Sequence, residues 1–236
     1  MGYKYHLWCD LDGCLTQSVA AILRHLYMDT GDLVPMSAIN AWGVGKCVHK
    51  YLSETGEEPI LESQDFEEII APYFKNGKNN YYLNLTEHWT ILSAILRWKK
   101  QPGHSLRFLT SRPGGVCQKS EVRYQTEAWL ASRGLNDVEL CWASGYPDGK
   151  GGYIRDYCED KEVDPDARHI VIEDNPEEAE SVLKHMPDAV VLAPRRHWNT
   201  GPGAWSNEAA RKVALKVWNN SLIYQQLLEP EDILWP

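Results

Sequence analysis

Apolar positions along this chain follow two alternating rhythms. Short apolar runs close on polar turns, and longer segments place apolar residues at helical spacing. Tyr5 to Cys9 reads as a first strand. Gln17 to Tyr27 reads as a helix, with Val19, Ile22, Leu23 and Leu26 on one stripe and Thr16 as a candidate N-cap. From about Asp29 to Asn80 the pattern loosens, with Gly, Pro and Asn breaks around one expected helix, Gln64 to Phe74. Regular alternation then resumes. The expected strands are Ser105–Leu109, Val138–Trp142, His169–Ile172 and Ala189–Leu192. The expected helices are Glu87–Lys99, Lys119–Arg133, Gly151–Cys158, one opening at Asn175, and Ser206–Trp218. Asn175-Pro176-Glu177-Glu178 carries a capping side chain, a proline at the first helical position and acids in the first turn. Gly134 suits a left-handed stop after the helix before it.

Strands alternating with helices imply an α/β fold around a parallel sheet with right-handed crossovers. Ligands bind such sheets at the carboxyl ends of the strands, so those ends are where chemistry is expected. The first strand closes on Asp10-Leu11-Asp12-Gly13-Cys14-Leu15-Thr16. Alternate side chains of a strand share a side, so Asp10 and Asp12 can converge where Gly13 lets the chain bend. Paired carboxylates attract a hard cation such as Mg²⁺, and a carboxylate held there can attack phosphorus. An acidic turn after an edge strand is the plainer explanation.

Three later strand ends add to this. Thr110-Ser111-Arg112-Pro113-Gly114-Gly115 offers hydroxyl and backbone donors for phosphate oxygens, although Ser/Thr/Pro/Gly loops are common. Glu173-Asp174-Asn175 offers a metal ligand and a supporting acid, unless Asp174 or Asn175 serves only as a helix cap. Lys150, at a glycine-rich helix start, can reach a reaction centre, or it is ordinary surface charge. Four weak signals at successive strand ends are together far more specific than any one.

Composition narrows the classes. The 236 residues are 43% hydrophobic, enough for one substantial core and a small second unit. The formal net charge of −9 disfavours a nucleic-acid partner without excluding it. No apolar run is long enough to span a membrane, and polar, acidic sequence by Asp10 leaves no signal-peptide core, so a cytoplasmic location is expected. Cys9, Cys14, Cys47, Cys117, Cys141 and Cys158 form no C-x-x-C pair, which argues against a zinc knuckle and for reduced thiols.

At these four strand ends the sequence resembles the haloacid dehalogenase (HAD) superfamily of phosphohydrolases. Its first motif is similar to Asp10–Thr16, its second to Leu109–Pro113, its third to Lys150 and its fourth to Ile172–Pro176. Glu173 departs from the frequent aspartate of the fourth motif, and Arg155 and Lys161 compete with Lys150 for the third. The resemblance implies a three-layer Rossmann-like parallel sheet. Residues 1–28 and 84–236 would form the core and 29–83 an inserted, mainly helical cap. It further implies Asp10 as nucleophile and Asp12 as general acid and base, the latter needing a raised pKa. Mg²⁺ would be held by Asp10, the Asp12 carbonyl and Asp174. Thr110 and Lys150 would bind phosphate oxygens, with Gly13, Ser111 and Arg112 on the substrate.

The position of the insert, the Thr-Ser-Arg-Pro run and Pro194-Arg195-Arg196-His197-Trp198-Asn199 look like the 5′(3′)-deoxyribonucleotidase branch. A small phosphate ester, and within that class a (deoxy)nucleoside monophosphate, is therefore the expected substrate, and a homodimer stays open. Trp42, Tyr73, Phe74, Tyr81 and Tyr82 could stack on a base, or form the cap's own small core. Arg195 and Arg196 could meet a phosphate or be surface charge, and Trp198-Asn199 could be a loop lying against the site. The alternatives are a polynucleotide-end phosphatase and a non-catalytic phosphate-binding protein on the same fold.

Overall fold

The computed structural model describes residues 4–41, 43–55, 63–113, 120–200 and 227, with the backbone alone over 63–67. Trp42, Gly114-Gly115, Lys119 and the expected Ser206–Trp218 helix lie outside the described residues. Five parallel strands form one sheet in the order β3-β2-β1-β4-β5. They are β1 Tyr5–Cys9, β2 His104–Thr110, β3 Glu139–Trp142, β4 Arg168–Ile172 and β5 Val190–Leu192. The helices are α1 Ser18–Thr30, α2 Val44–Glu54, α3 Ser63–Asn76, α4 Trp89–Trp98, α5 Glu121–Ala131, α6 Gly149–Asp160 and α7 Pro176–His185.

The strand period builds the layers. On β1, Tyr5, Leu7 and Cys9 face one side, where they join Ile22, Leu26, Ile91, Ile95, Val122 and Trp129 from α1, α4 and α5. Trp8 faces the other, with Ile154 of α6 and Ala179 and Val182 of α7. β4 splits likewise, Ile170 and Ile172 to the first face and Val171 to the second. Each large apolar side chain buried in this way contributes about 2 kcal/mol. Helices on both faces of a parallel sheet make the three-layer Rossmann-like arrangement.

Asp10 follows the central strand. β1 pairs with β2 and β4 in register, Cys9 beside Phe108 and Ile172. The carboxyl ends of three adjacent strands therefore lie side by side.

Among the described residues, the segment between α1 and α4 holds two α-helices rather than the one expected. In α2, Cys47, Val48 and Leu52 are buried at helical spacing; glycines at 43 and 45 mask that rhythm in the sequence. Thr16 is not the cap of α1, whose N-cap is Gln17 with no side-chain bond. Thr16 Oγ1 instead donates to the Leu11 carbonyl and to Asp12 Oδ1, both at 3.1 Å, tying off the turn after β1. Asn175 does cap α7, accepting the Glu177 N–H at 3.0 Å. Gly134 has φ +72°, the left-handed stop expected just past α5.

Candidate active site

The turn that follows β1 is a tight loop. Gly13 has φ +76°, and its N–H donates to the Thr16 carbonyl at 3.0 Å. A Cβ at Gly13 would overlap the carboxylate of Asp174. Glycine is thus required twice, for the backbone angle and for the approach of the β4 loop.

Lys150 is delivered by the start of α6. Asp148 and Gly149 both adopt left-handed angles there, and α7 supplies the acceptors that the first turn lacks. Glu178 Oε2 accepts the Lys150 N–H at 2.8 Å, and Ser181 Oγ accepts the Gly151 N–H at 3.0 Å. Gly151 lets the helices approach, because a Cβ there would overlap the Ser181 carbonyl. So held, Lys150 is buried and bridges two acids, Asp10 Oδ1 at 2.6 Å and Glu173 Oε2 at 2.7 Å. Arg155 pairs with Asp156 instead.

Burial is the largest influence on these groups. It pushes the Asp10 carboxyl up, against the pull of Lys150, and Glu173 and Asp12 push it further. Burial likewise raises Glu173 and Asp174, the latter aided by the charge of Asp10. Lys150 stays charged, its affinity for its proton raised by Asp10 and Glu173 in spite of burial. One ammonium faces more negative charge than it can balance.

Donor atoms of Asp10, Cys14 and Asp174 all lie within 4.8 Å of one another. Two buried carboxylates short of positive charge fit a hard divalent cation. Glu173 is outside this group. Its length is used to reach Lys150, while Oε1 accepts the Asn175 N–H at 2.9 Å.

Asp12 departs from expectation. Burial alone would raise its carboxyl, yet Arg112, with Thr16 and Lys150, brings it below the ordinary carboxylate value. Arg112 Nε donates to Asp12 Oδ2 at 2.7 Å and Nη2 to Oδ1 at 2.8 Å. The raised pKa asked of Asp12 is therefore corrected for this state of the site. Arg112, read as a substrate ligand, spends its fork on Asp12, its Nη1 on Thr126 and its π-facing plane on the Tyr82 ring, 4.4 Å away. Thr110 is buried, and its Oγ1 accepts the Arg112 N–H at 3.2 Å.

A cavity of about 200 Å³ opens over these groups. Asp10, Asp12, Ser111, Arg112 and Lys150 line it, with Phe74 and Tyr82 on the wall supplied by the segment before α4. Asn175, within the fourth-motif run, and Glu178, expected only at a helix start, also line it; nothing in the spacing of Glu178 marks it for the site. Tyr73 and Tyr81 are buried. Tyr73 stacks on His25 at 4.3 Å, and the Tyr81 hydroxyl donates to the Ser18 carbonyl at 3.0 Å. They pack against α1; Tyr82 is equally buried, with Arg112 over its ring, and its edge lines the cavity together with Phe74.

The loop after β5 lies against the site from behind. Trp198 Nε1 donates to Asp174 Oδ2 at 2.8 Å, and Asn199 Nδ2 donates to the Asp174 carbonyl at 3.0 Å. Arg196 Nε donates to the Gly13 carbonyl at 2.6 Å, so its charge serves the loop rather than an open phosphate site.

The sheet order and helix layers define a HAD-like α/β fold, shared with several solved structures. One is described as a predicted phosphoglycolate phosphatase from Haemophilus somnus, with TM-score 0.62, 14% identity, and coverage of 98% of this chain and 98% of that one. A second is a HAD family hydrolase from Deinococcus radiodurans with bound phosphate and sodium, at TM-score 0.61 and 17% identity, covering 97% of this chain and 96% of that one. A third is a haloacid dehalogenase-like hydrolase from Streptococcus pneumoniae, at TM-score 0.56 and 11% identity, covering 95% and 97%. At these identities the likeness is one of fold. No protein-family model and no curated protein matches the sequence. Among the described residues no helix is long and apolar enough to cross a membrane.

Proposed function

We propose that this chain is a Mg²⁺-dependent phosphomonoesterase working through an aspartyl-phosphate on Asp10. The observation that carries the reading is the buried Asp10–Lys150–Glu173 bridge beside Asp174, open to a small cavity. Lys150 orients Asp10 and supplies positive charge for the phosphoryl group. Asp10 attacks phosphorus, the ester P–O bond breaks, and the leaving oxygen takes a proton from Asp12. Asp12 then takes a proton from the water that attacks the aspartyl-phosphate, and inorganic phosphate leaves. Asp10, Asp174 and the Asp12 carbonyl would hold the cation, which when bound supplies charge neutralisation for the phosphoryl oxygens. Ser111, on the cavity wall, would bind one of the remaining oxygens; Thr110 is buried and is not among the residues that line the cavity.

Asp12 must gain a proton before it can act as acid, and Arg112 opposes this. Arg112 lies on the cavity wall. An arriving phosphate competes with Asp12 for its guanidinium and adds negative charge nearby. Both effects raise the Asp12 carboxyl towards the range an acid needs.

A nucleoside monophosphate is the substrate we favour, with the phosphate in the cavity and the nucleoside lying past Phe74 and Tyr82. Cavities that enclose a whole drug-sized ligand run to about 300 Å³ and above, so a nucleoside would extend beyond this one. The same size supports a second reading, a small carboxylated phosphate ester like the one for which the Haemophilus neighbour is named. The test is phosphate release from a panel of nucleoside monophosphates, phosphoglycolate and 3′- or 5′-phosphorylated oligonucleotides, with Mg²⁺ and with EDTA. We expect Mg²⁺-dependent turnover that is fastest on a mononucleotide and is abolished in Asp10→Asn. No release from any member by folded protein in Mg²⁺ overturns the enzyme reading, and faster oligonucleotide turnover promotes the polynucleotide-end phosphatase.

A further inference from the structure

The segment that follows β5 is tied to the site more tightly than a connecting loop requires. Trp198 and Asn199 are both buried. Besides its bond to the Asp174 carbonyl, Asn199 Nδ2 donates to the Pro194 carbonyl at 2.9 Å, and Asn199 Oδ1 accepts the Arg196 N–H at 2.8 Å. Arg196 closes the circuit on the Gly13 carbonyl. The two oxygens of that carboxylate are held unequally. Among the described residues, Oδ2 receives the indole N–H of Trp198 at 2.8 Å, and Oδ1 receives only the Cys14 thiol at 3.3 Å. An indole N–H is a firm donor and a thiol a weak one. The weakly held Oδ1 is thus the oxygen that can be given up to a new partner, and the indole prevents the carboxylate from rotating as this happens.

We propose that Trp198 is a positioning residue that presents Asp174 Oδ1 to the divalent cation, with Asn199 fixing the backbone from which Asp174 projects. This rests on the metal site proposed above. Groups that hydrogen-bond a metal ligand set its orientation and basicity, and losing one costs about 10–100-fold in metal affinity.

The experiment is Mn²⁺ binding to the full chain without substrate, read by electron paramagnetic resonance. It compares wild type, Asp174→Asn, Trp198→Phe, and a protein with benzothienylalanine at 198. Phenylalanine removes the donor and part of the ring. Benzothienylalanine keeps the bicyclic shape and lacks the N–H. The expected result is Mn²⁺ affinity about 10–100-fold weaker in the two proteins altered at 198, with phosphatase activity lost at low Mg²⁺ and regained at high Mg²⁺. Unchanged Mn²⁺ affinity in the benzothienylalanine protein overturns the role of Trp198 while leaving the metal site standing. Wild-type binding that Asp174→Asn does not weaken overturns the metal site itself and this assignment with it.

Discussion

Arg112 holds Asp12 by two parallel hydrogen bonds, of 2.7 and 2.8 Å, across a hundred residues of sequence. The fork matches the carboxylate in a way that a lysine cannot reproduce. In the proposed reaction Asp12 is active when protonated, so activity falls as pH rises through its ionisation. Arg112 keeps that ionisation low. Replacing Arg112→Lys should therefore move the alkaline fall of kcat/KM to higher pH. A pH–rate profile checks this, and an unmoved limb would show that Arg112 does not govern Asp12.

Glu173 stands where an aspartate is frequent in the family that the sequence resembles, and its extra methylene has a use. One oxygen reaches Lys150 at 2.7 Å and the other the Asn175 N–H at 2.9 Å. Glu173→Asp is too short to keep both. Losing a hydrogen bond to a charged group costs about 1.5–3 kcal/mol. We expect the unfolding free energy from urea titration to fall by that amount, together with reduced kcat as Lys150 loses its second anchor. Wild-type stability and kcat in the variant would contradict this role.

The close contact of α6 and α7 depends on Gly151. A methyl group there would strike the Ser181 carbonyl, and backbone cannot swing aside as a flexible side chain can. Gly151→Ala should cost about 1–3 kcal/mol by overpacking. It should also reduce activity, since the displaced helix carries Lys150. Thermal unfolding and kinetics measure the two effects together. A variant as stable as wild type would mean that the helices separate without strain.

Burial raises Asp10 and Asp174. A carboxyl whose folded pKa lies above its unfolded value favours folding at low pH, where it is protonated in both states. That contribution is lost as pH rises through the folded value. A divalent cation reverses the cost by pairing with the ionised acids. The rise in Tm on adding Mg²⁺ should therefore be small near pH 5 and grow towards pH 8. Differential scanning fluorimetry with Mg²⁺ and with EDTA would show this, and an increment independent of pH would argue against these two acids as ligands.

Much of the fold was legible because buried parallel strands and their polar ends are local signals. Cys9-Asp10 and Ile172-Glu173 each mark the residue at which an apolar run turns acidic. Asn175-Pro176 marks a helix start through groups that act within a few residues. The helix α2 was less legible, although Val44, Cys47, Val48, Tyr51 and Leu52 keep helical spacing, because glycines interrupt its beginning. The partners of Arg112 and Glu173 were not legible at all. A long charged side chain has many reachable partners, and which one it meets depends on how strands distant in sequence pack. Trp198 is a similar case, since only the closed fold brings its N–H to Asp174.

The order of the sheet has a consequence for synthesis. β1 sits in the middle, yet its neighbour β4 is made more than half a chain later. Asp10 leaves the ribosome well before Lys150 and Asp174. A growing chain therefore carries the proposed nucleophile for more than a hundred residues of synthesis without the groups that would arm it. In the proposed reaction competence would come only once β4 pairs with β1, and a truncated product that lacks β4 should be inert towards phosphate esters.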